Sequence, residues 1–147
     1  FKIGICWKGG TKYSYNKERN ATLAYFFPLI AHPHYQLINL QKDLSDEEKR
    51  LLSLTPIINV ESQLVDFEET AALMHHLDLI ITVDTSVAHL AGAIGKPVWT
   101  LIRHETEWRH PTDEKISPWY PSMRLFRQPK PGDWDSVFQQ IETELLA

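Results

Sequence analysis

The sequence predicts an α/β domain, a doubly wound parallel sheet of Rossmann-like type. Two observations carry this. Short apolar runs alternate with helical patterns along the whole chain, which is the signature of strand–helix units around a parallel sheet. The runs are also apolar at successive positions instead of every second one, as in "LIITV". Such strands need helices on both faces of the sheet. A third observation concerns placement. The unusual polar residues fall where apolar runs end, and in open α/β sheets ligands sit outside the carboxyl ends of the strands.

The elements follow in order. "KIGICW" at 2–7 reads as a buried strand, and the polar stretch after it, with Gly9 and Gly10, as a loop. Residues 21–31 place Leu23, Phe26, Phe27 and Ile30 on one helical face, and His32-Pro33 ends that helix. Residues 35–40 form a second strand. Ser45, with Glu48 three positions on, is a capping box opening a helix over 46–54. Residues 56–60 form a third strand. Asp66-Phe67-Glu68 opens a helix running to about His76. Residues 79–83 are a fourth strand and 85–94 its helix, ended by Gly95. Residues 97–102 form a fifth strand. A Trp-, Arg-, His- and Pro-rich loop covers 103–121. Residues 123–126 form a sixth strand, and 134–146 a closing amphipathic helix.

At 147 residues, one domain is expected, large enough to bury most of its surface. A formal charge of -4 gives no general attraction for nucleic acid or anionic membrane. No apolar run approaches the roughly 18 residues of a membrane span. Cys6 is the only cysteine, so no internal disulfide forms, and a reducing, cytoplasmic setting is expected. The chain opens on Phe1 and leads straight into a strand, and it is read as a fragment of a longer protein.

The chemistry concentrates at residues 84–89. Asp84-Thr85-Ser86 lies where the fourth strand meets its helix. Free N–H groups and the helix dipole make such a point favourable for anions, phosphate above all. Thr85 and Ser86 add hydroxyls. His89, four residues after Thr85, lies on the same helix face. Ala88, Ala91, Gly92 and Ala93 keep the helix close to the sheet. Each feature alone has a plainer reading, as a cap, a structural histidine or packing; their coincidence at a strand end favours a ligand. Gly9 and Gly10 permit close approach of backbone to that ligand, and Lys8 adds positive charge. They match neither the Walker nor the dinucleotide fingerprint, and no serine-hydrolase elbow occurs. Trp108, Arg109, Trp119 and Tyr120 are candidates to line a sugar or base pocket; the alternative for Trp119 and Tyr120 is that they pack as a lid on the core.

"DFEETAALMHHLDLIITVDTSVAHLAGAIGKPVWTL", "EWRH" and "SPWYPSMRLFRQPKPGDWDSV" resemble the C-terminal domain of heptosyltransferase-like glycosyltransferases. The likeness is greatest to the version at the end of bacterial tetratricopeptide-repeat proteins. "CWKGG", "KERNATL" and "INLQKD" are similar to earlier blocks of that family. The resemblance implies the C-terminal half of a GT-B architecture, one nucleotide-sugar-binding domain over 1–147. It implies inverting, metal-independent transfer with no cofactor. Asp84, Thr85, Ser86 and His89 would then contact the donor's diphosphate and sugar, His89 helping the leaving group depart. Lys8, Gly9 and Gly10 would approach the phosphates from the other side, and Gln41 would lie near the nucleoside, with Trp108 and Arg109 as further pocket candidates. The acceptor domain and catalytic base would lie in the N-terminal part of the same protein, so the isolated domain is expected to be inactive. Arg19-Asn20 and Glu107-Trp108-Arg109-His110 depart from the family pattern of Arg-Ser and Asp-Trp-Arg-Trp. These departures leave a second expectation open, a catalytically degenerate domain serving as a binding scaffold.

Overall fold

In the computed structural model of the protein, which describes residues 1–9, 20–104, 115–117 and 119–146, six strands form one sheet. They are β1 (Lys2–Cys6), β2 (Gln36–Asn39), β3 (Ile58–Asn59), β4 (Leu79–Val83), β5 (Val98–Ile102) and β6 (Met123–Arg127). Their order is β3-β2-β1-β4-β5-β6, and every neighbouring pair is parallel. The chain therefore winds outward from β1 in one direction, then returns to start again at β4. In open α/β sheets the ligand crevice lies at the strands' carboxyl ends where the winding reverses, here between β1 and β4. Cys6 pairs with Thr82, so the chain leaves both strands at the same level, flanking that crevice.

The apolar runs fold this way because both faces are covered. All five residues of β4 are buried. Alternate side chains go to opposite faces: Ile81 and Val83 join Ile3, Ile5, Leu101 and Phe126 on one side, while Ile80 joins Ile38, Leu40 and Ile102 on the other. The first side is covered by a 3₁₀ turn at Leu23–Phe26, by α1 (Phe27–Ile30) and by α5 (Trp134–Leu146), with Leu52 of α2 (Asp46–Ser53) at its margin. The second is covered by α3 (Phe67–Met74) and α4 (Ser86–Ala93).

Two predicted elements differ. The helix expected over 21–31 is a 3₁₀ turn followed by one α-turn. Pro28 stands in the first turn of α1. It has no N–H, and its ring excludes the carbonyl four residues earlier, so one continuous helix through it fails. The strand expected over 56–60 contracts to Ile58–Asn59 at the sheet edge. There the Asn59 side chain accepts from Asn39 Nδ2 and from Glu61 N, starting a 3₁₀ turn instead of a third strand pair.

The signals at helix ends hold. Ser45 and Glu48 form both bonds of the capping box on α2. At the end of α4, Gly95 has φ +75. Gly95 N donates to Gly92 O and Lys96 N to Ala91 O, the paired closure that needs a left-handed residue there.

Gly92 fixes how α4 sits. A Cβ built on it lies 2.5 Å from Tyr120 Cγ and 2.9 Å from Tyr120 Cβ. Those atoms are at the root of the ring and cannot swing aside. Gly92→Ala is expected to lower the urea midpoint, because an overpacking cost on the order of 1–3 kcal/mol outweighs the roughly 1 kcal/mol that alanine gains over glycine in a helix. Gly4→Ala is the control. Its nearest contacts are methyl tips of Leu40 and Leu77, which can rotate, so its loss is smaller.

Candidate functional site

At the carboxyl end of β4 the backbone turns directly into α4. Thr85 is extended, with φ -140 and ψ 179, and its Oγ1 accepts from Val87 N at 3.3 Å. It is the N-cap. Thr82 Oγ1 donates to Val83 O, so in the 3.4 Å contact between Thr82 and Thr85 the donor is Thr85. Ser86 opens the helix and is exposed.

His89 Nε2 lies 3.1 Å from Asp84 Oδ1, with the side chains 22% and 12% exposed. An ionised carboxylate can only accept, so Nε2 carries the proton in this pair. Nδ1, the other ring nitrogen, can donate to an anion only when it too carries a proton. Tyr120 packs its ring 5.7 Å from the imidazole centroid and also lies on Gly92. Ser117 Oγ accepts from Trp119 N and Tyr120 N and so sets the turn that delivers the tyrosine. Of the two readings for this aromatic pair, Tyr120 takes the packing one, in the core beside α4. Trp119 is 58% exposed.

Across the crevice, the start of the β1 loop is clamped by two side chains. Gln41 Oε1 accepts from Trp7 N at 3.1 Å and Lys8 N at 3.0 Å, and from Cys6 Sγ at 3.1 Å. Its Nε2 donates to Lys42 O. The amide expected near a nucleoside is thus buried and committed to the loop. Glu48 is the second clamp. It accepts from Trp7 Nε1, from Lys8 Nζ and from Ser45 N. Burial raises its carboxyl pKa, but the bonds from Lys8, Ser45 and Trp7 outweigh that and leave it below the usual value. Gly9 N donates to Asn20 Oδ1. The Cys6 thiol beneath the loop is pushed up by burial, with Thr82 and Thr85 opposing.

A cleft of about 290 Å³ opens between the ends of β2, α3 and α4. Leu40, Val65, Phe67, Val87 and Leu90 make its apolar walls, and Ser86, Lys42, Thr70 and Asp66 supply polar groups. Val65 and Phe67 are 71% and 66% exposed. Asp66 Oδ1 is committed to capping α3 through Glu69 N.

The structure therefore brings Asp84, Thr85, Ser86 and His89 together on one side of the crevice and Lys8, Gly9 and Gln41 on the other. Gly10, Trp108 and Arg109 lie outside the described residues. Asp133-Trp134-Asp135 is an Asp-x-Asp triplet, the spacing of some metal sites, but Asp133 caps α5 by accepting from Ser136 N and Oγ. Glu48 was legible only as a capping residue. Gln128 carried no signal; it is 1% exposed, and its Oε1 accepts from His104 N and Gly132 N, tying the exit of β5 to that of β6.

The profile of glycosyltransferase family 9 (heptosyltransferase) matches residues 41–138. Protein FlbA of Caulobacter vibrioides is 29% identical over 154 residues, which span 98% of this chain and 25% of that protein. The solved structure of E. coli ADP-heptose lps heptosyltransferase II superposes with a TM-score of 0.62 at 14% identity, over 96% of this chain and 47% of that one. A glycosyl transferase family 9 structure from Veillonella parvula gives 0.57 at 16% identity, over 99% of this chain and 38% of that one. At such identities the two structures bear on the fold, and the chain spans less than half of each of these relatives.

Proposed function

Because the chain belongs to glycosyltransferase family 9 (heptosyltransferase), we propose that it holds the nucleotide-sugar donor of an inverting, metal-independent glycosyl transfer. The observation that carries this reading is the Asp84–His89 pair beside a Thr85-capped helix N-terminus, at the point where the sheet reverses its winding. The N–H groups of the first turn of α4 face the diphosphate, where helix dipole and donors favour negative charge. Ser86 adds a hydroxyl. As the bond from sugar to diphosphate breaks, charge grows on the leaving oxygens. Preorganised donors there lower the barrier more than they favour the ground state. Asp84, held by His89, accepts from sugar hydroxyls. The apolar cleft beyond Ser86 takes the flat base between Val65, Phe67 and Leu90.

The acceptor and the group that deprotonates it belong, in this reading, to the other domain of a GT-B pair in the same protein. We place the domain at the end of a bacterial, cytoplasmic tetratricopeptide-repeat protein, on the strength of the sequence blocks quoted above. The deciding experiment is a thermal melt against ADP, GDP and UDP and their sugar conjugates. A ligand at 100 times its Kd stabilises by about 2.7 kcal/mol, a rise of several degrees for a chain of this size. A well-folded protein whose Tm moves with none of them would leave the scaffold reading standing and this one not.

A further inference from the structure

We propose that the two lysines that follow the carboxyl ends of β1 and β2 have opposite jobs: Lys8 is an internal brace for Glu48, and Lys42 is the cation that meets the donor's phosphates. The inference rests on the donor reading above and assigns its charge complement.

Lys8 has its charge already matched. Its Nζ donates to Glu48 and, at 3.0 Å, to Asp43 O. The two side chains are only 21% and 15% exposed. Glu48 collects Trp7 Nε1 and Ser45 N besides, so one carboxylate joins the β1 loop to the start of α2. Drawing Lys8 out toward a phosphate strips a largely buried carboxylate of its cation, and removing one partner of such a pair is costly.

Lys42 is placed differently. Gln41 Nε2 fixes its carbonyl, yet the residue is exposed and lines the cleft together with Ser86. Among the described residues its ammonium enters none of the ion pairs, which join Lys8 to Glu48, Arg50 to Glu47, His89 to Asp84 and Arg124 to Glu144. A cation and a hydroxyl lining one apolar-walled cleft, whose carboxylate Asp66 is engaged in capping α3, suit a nucleoside diphosphate: base along the walls, phosphates at Lys42 and Ser86.

The test is calorimetric titration of the full chain with ADP, GDP and UDP, alongside thermal melts. Lys42→Met is expected to raise Kd about tenfold for the best binder, with an unchanged melt and a weaker dependence of Kd on salt. Lys8→Met and Glu48→Gln are each expected to lower Tm. The double variant should cost little more than Lys8→Met alone, since both remove one interaction, and Kd should stay within about twofold in all three. The assignment is overturned if Lys42→Met binds like wild type. It is equally overturned if Lys8→Met loses affinity, or Glu48→Gln gains it by releasing Lys8, with Tm unmoved. Wild type that binds none of the nucleotides refutes the donor reading and the Lys42 half with it; the melts still decide the brace.

Discussion

A His89→Ala protein is expected to keep its fold and lose donor binding and transfer, with turnover in the full protein falling on the order of 10²–10³-fold. The imidazole is partly exposed and lies on Tyr120, so its removal opens little core and should leave Tm within a few degrees of wild type. The functional loss has two parts. A group beside the proposed diphosphate disappears. Asp84 also loses the Nε2–H that partly offsets its charge at 3.1 Å, so a carboxylate faces an anionic ligand with less compensation. The second part is separable. His89→Ala combined with Asp84→Asn, which removes the charge, should recover about tenfold of the nucleoside diphosphate affinity lost by the single variant. Equal Kd values for the single and double variants would mean that His89 acts on the ligand directly and not through Asp84.

Much of this was legible in the sequence, for physical reasons that can be named. The β4 strand and α5 helix fall on the predicted residues because sharp polarity changes bound them: Asp78 and Asp84 around an apolar run, Gly132-Asp133 before an amphipathic one. Caps are short-range, so Ser45–Glu48 and Gly95 were readable from spacing alone. What was hidden is long-range. Glu48 reaches Trp7 across 41 positions and Gln41 reaches Trp7 across 34, and no local pattern encodes those meetings. The consequence falls on the site. Lys8 and Gln41, two residues expected to face the ligand, spend their polar groups on each other's segments, while Lys42, one position further on, lines the cleft. The polar residues were located at the carboxyl ends of β1, β2 and β4; which of them line the cleft depended on partners that only the fold supplies.

Trp7 is where fold and site meet, and its removal should be the costliest single change to stability. It is 1% exposed, packs in the core beneath the β1 loop, and donates through Nε1 to Glu48. Trp7→Ala is expected to lose about 3–5 kcal/mol in urea unfolding, the usual range for emptying a large aromatic site. Trp7→Phe keeps most of the packing and removes the indole N–H, so its cost should be smaller and should depend on pH. The sign follows from Glu48, whose carboxyl pKa is lowered in the folded protein. A depressed carboxylate stabilises the fold fully above its unfolded pKa, and that contribution fades as pH falls through the folded value. The gap between wild type and Trp7→Phe should therefore be full at pH 7 and narrow to its packing share as the medium is acidified through the carboxylate range and below. Each variant is compared with wild type at the same pH, so general acid destabilisation cancels. A gap that stays constant down to acid unfolding would assign the whole loss to packing, and the Trp7–Glu48 bond would then have no separate share in holding the loop at the crevice.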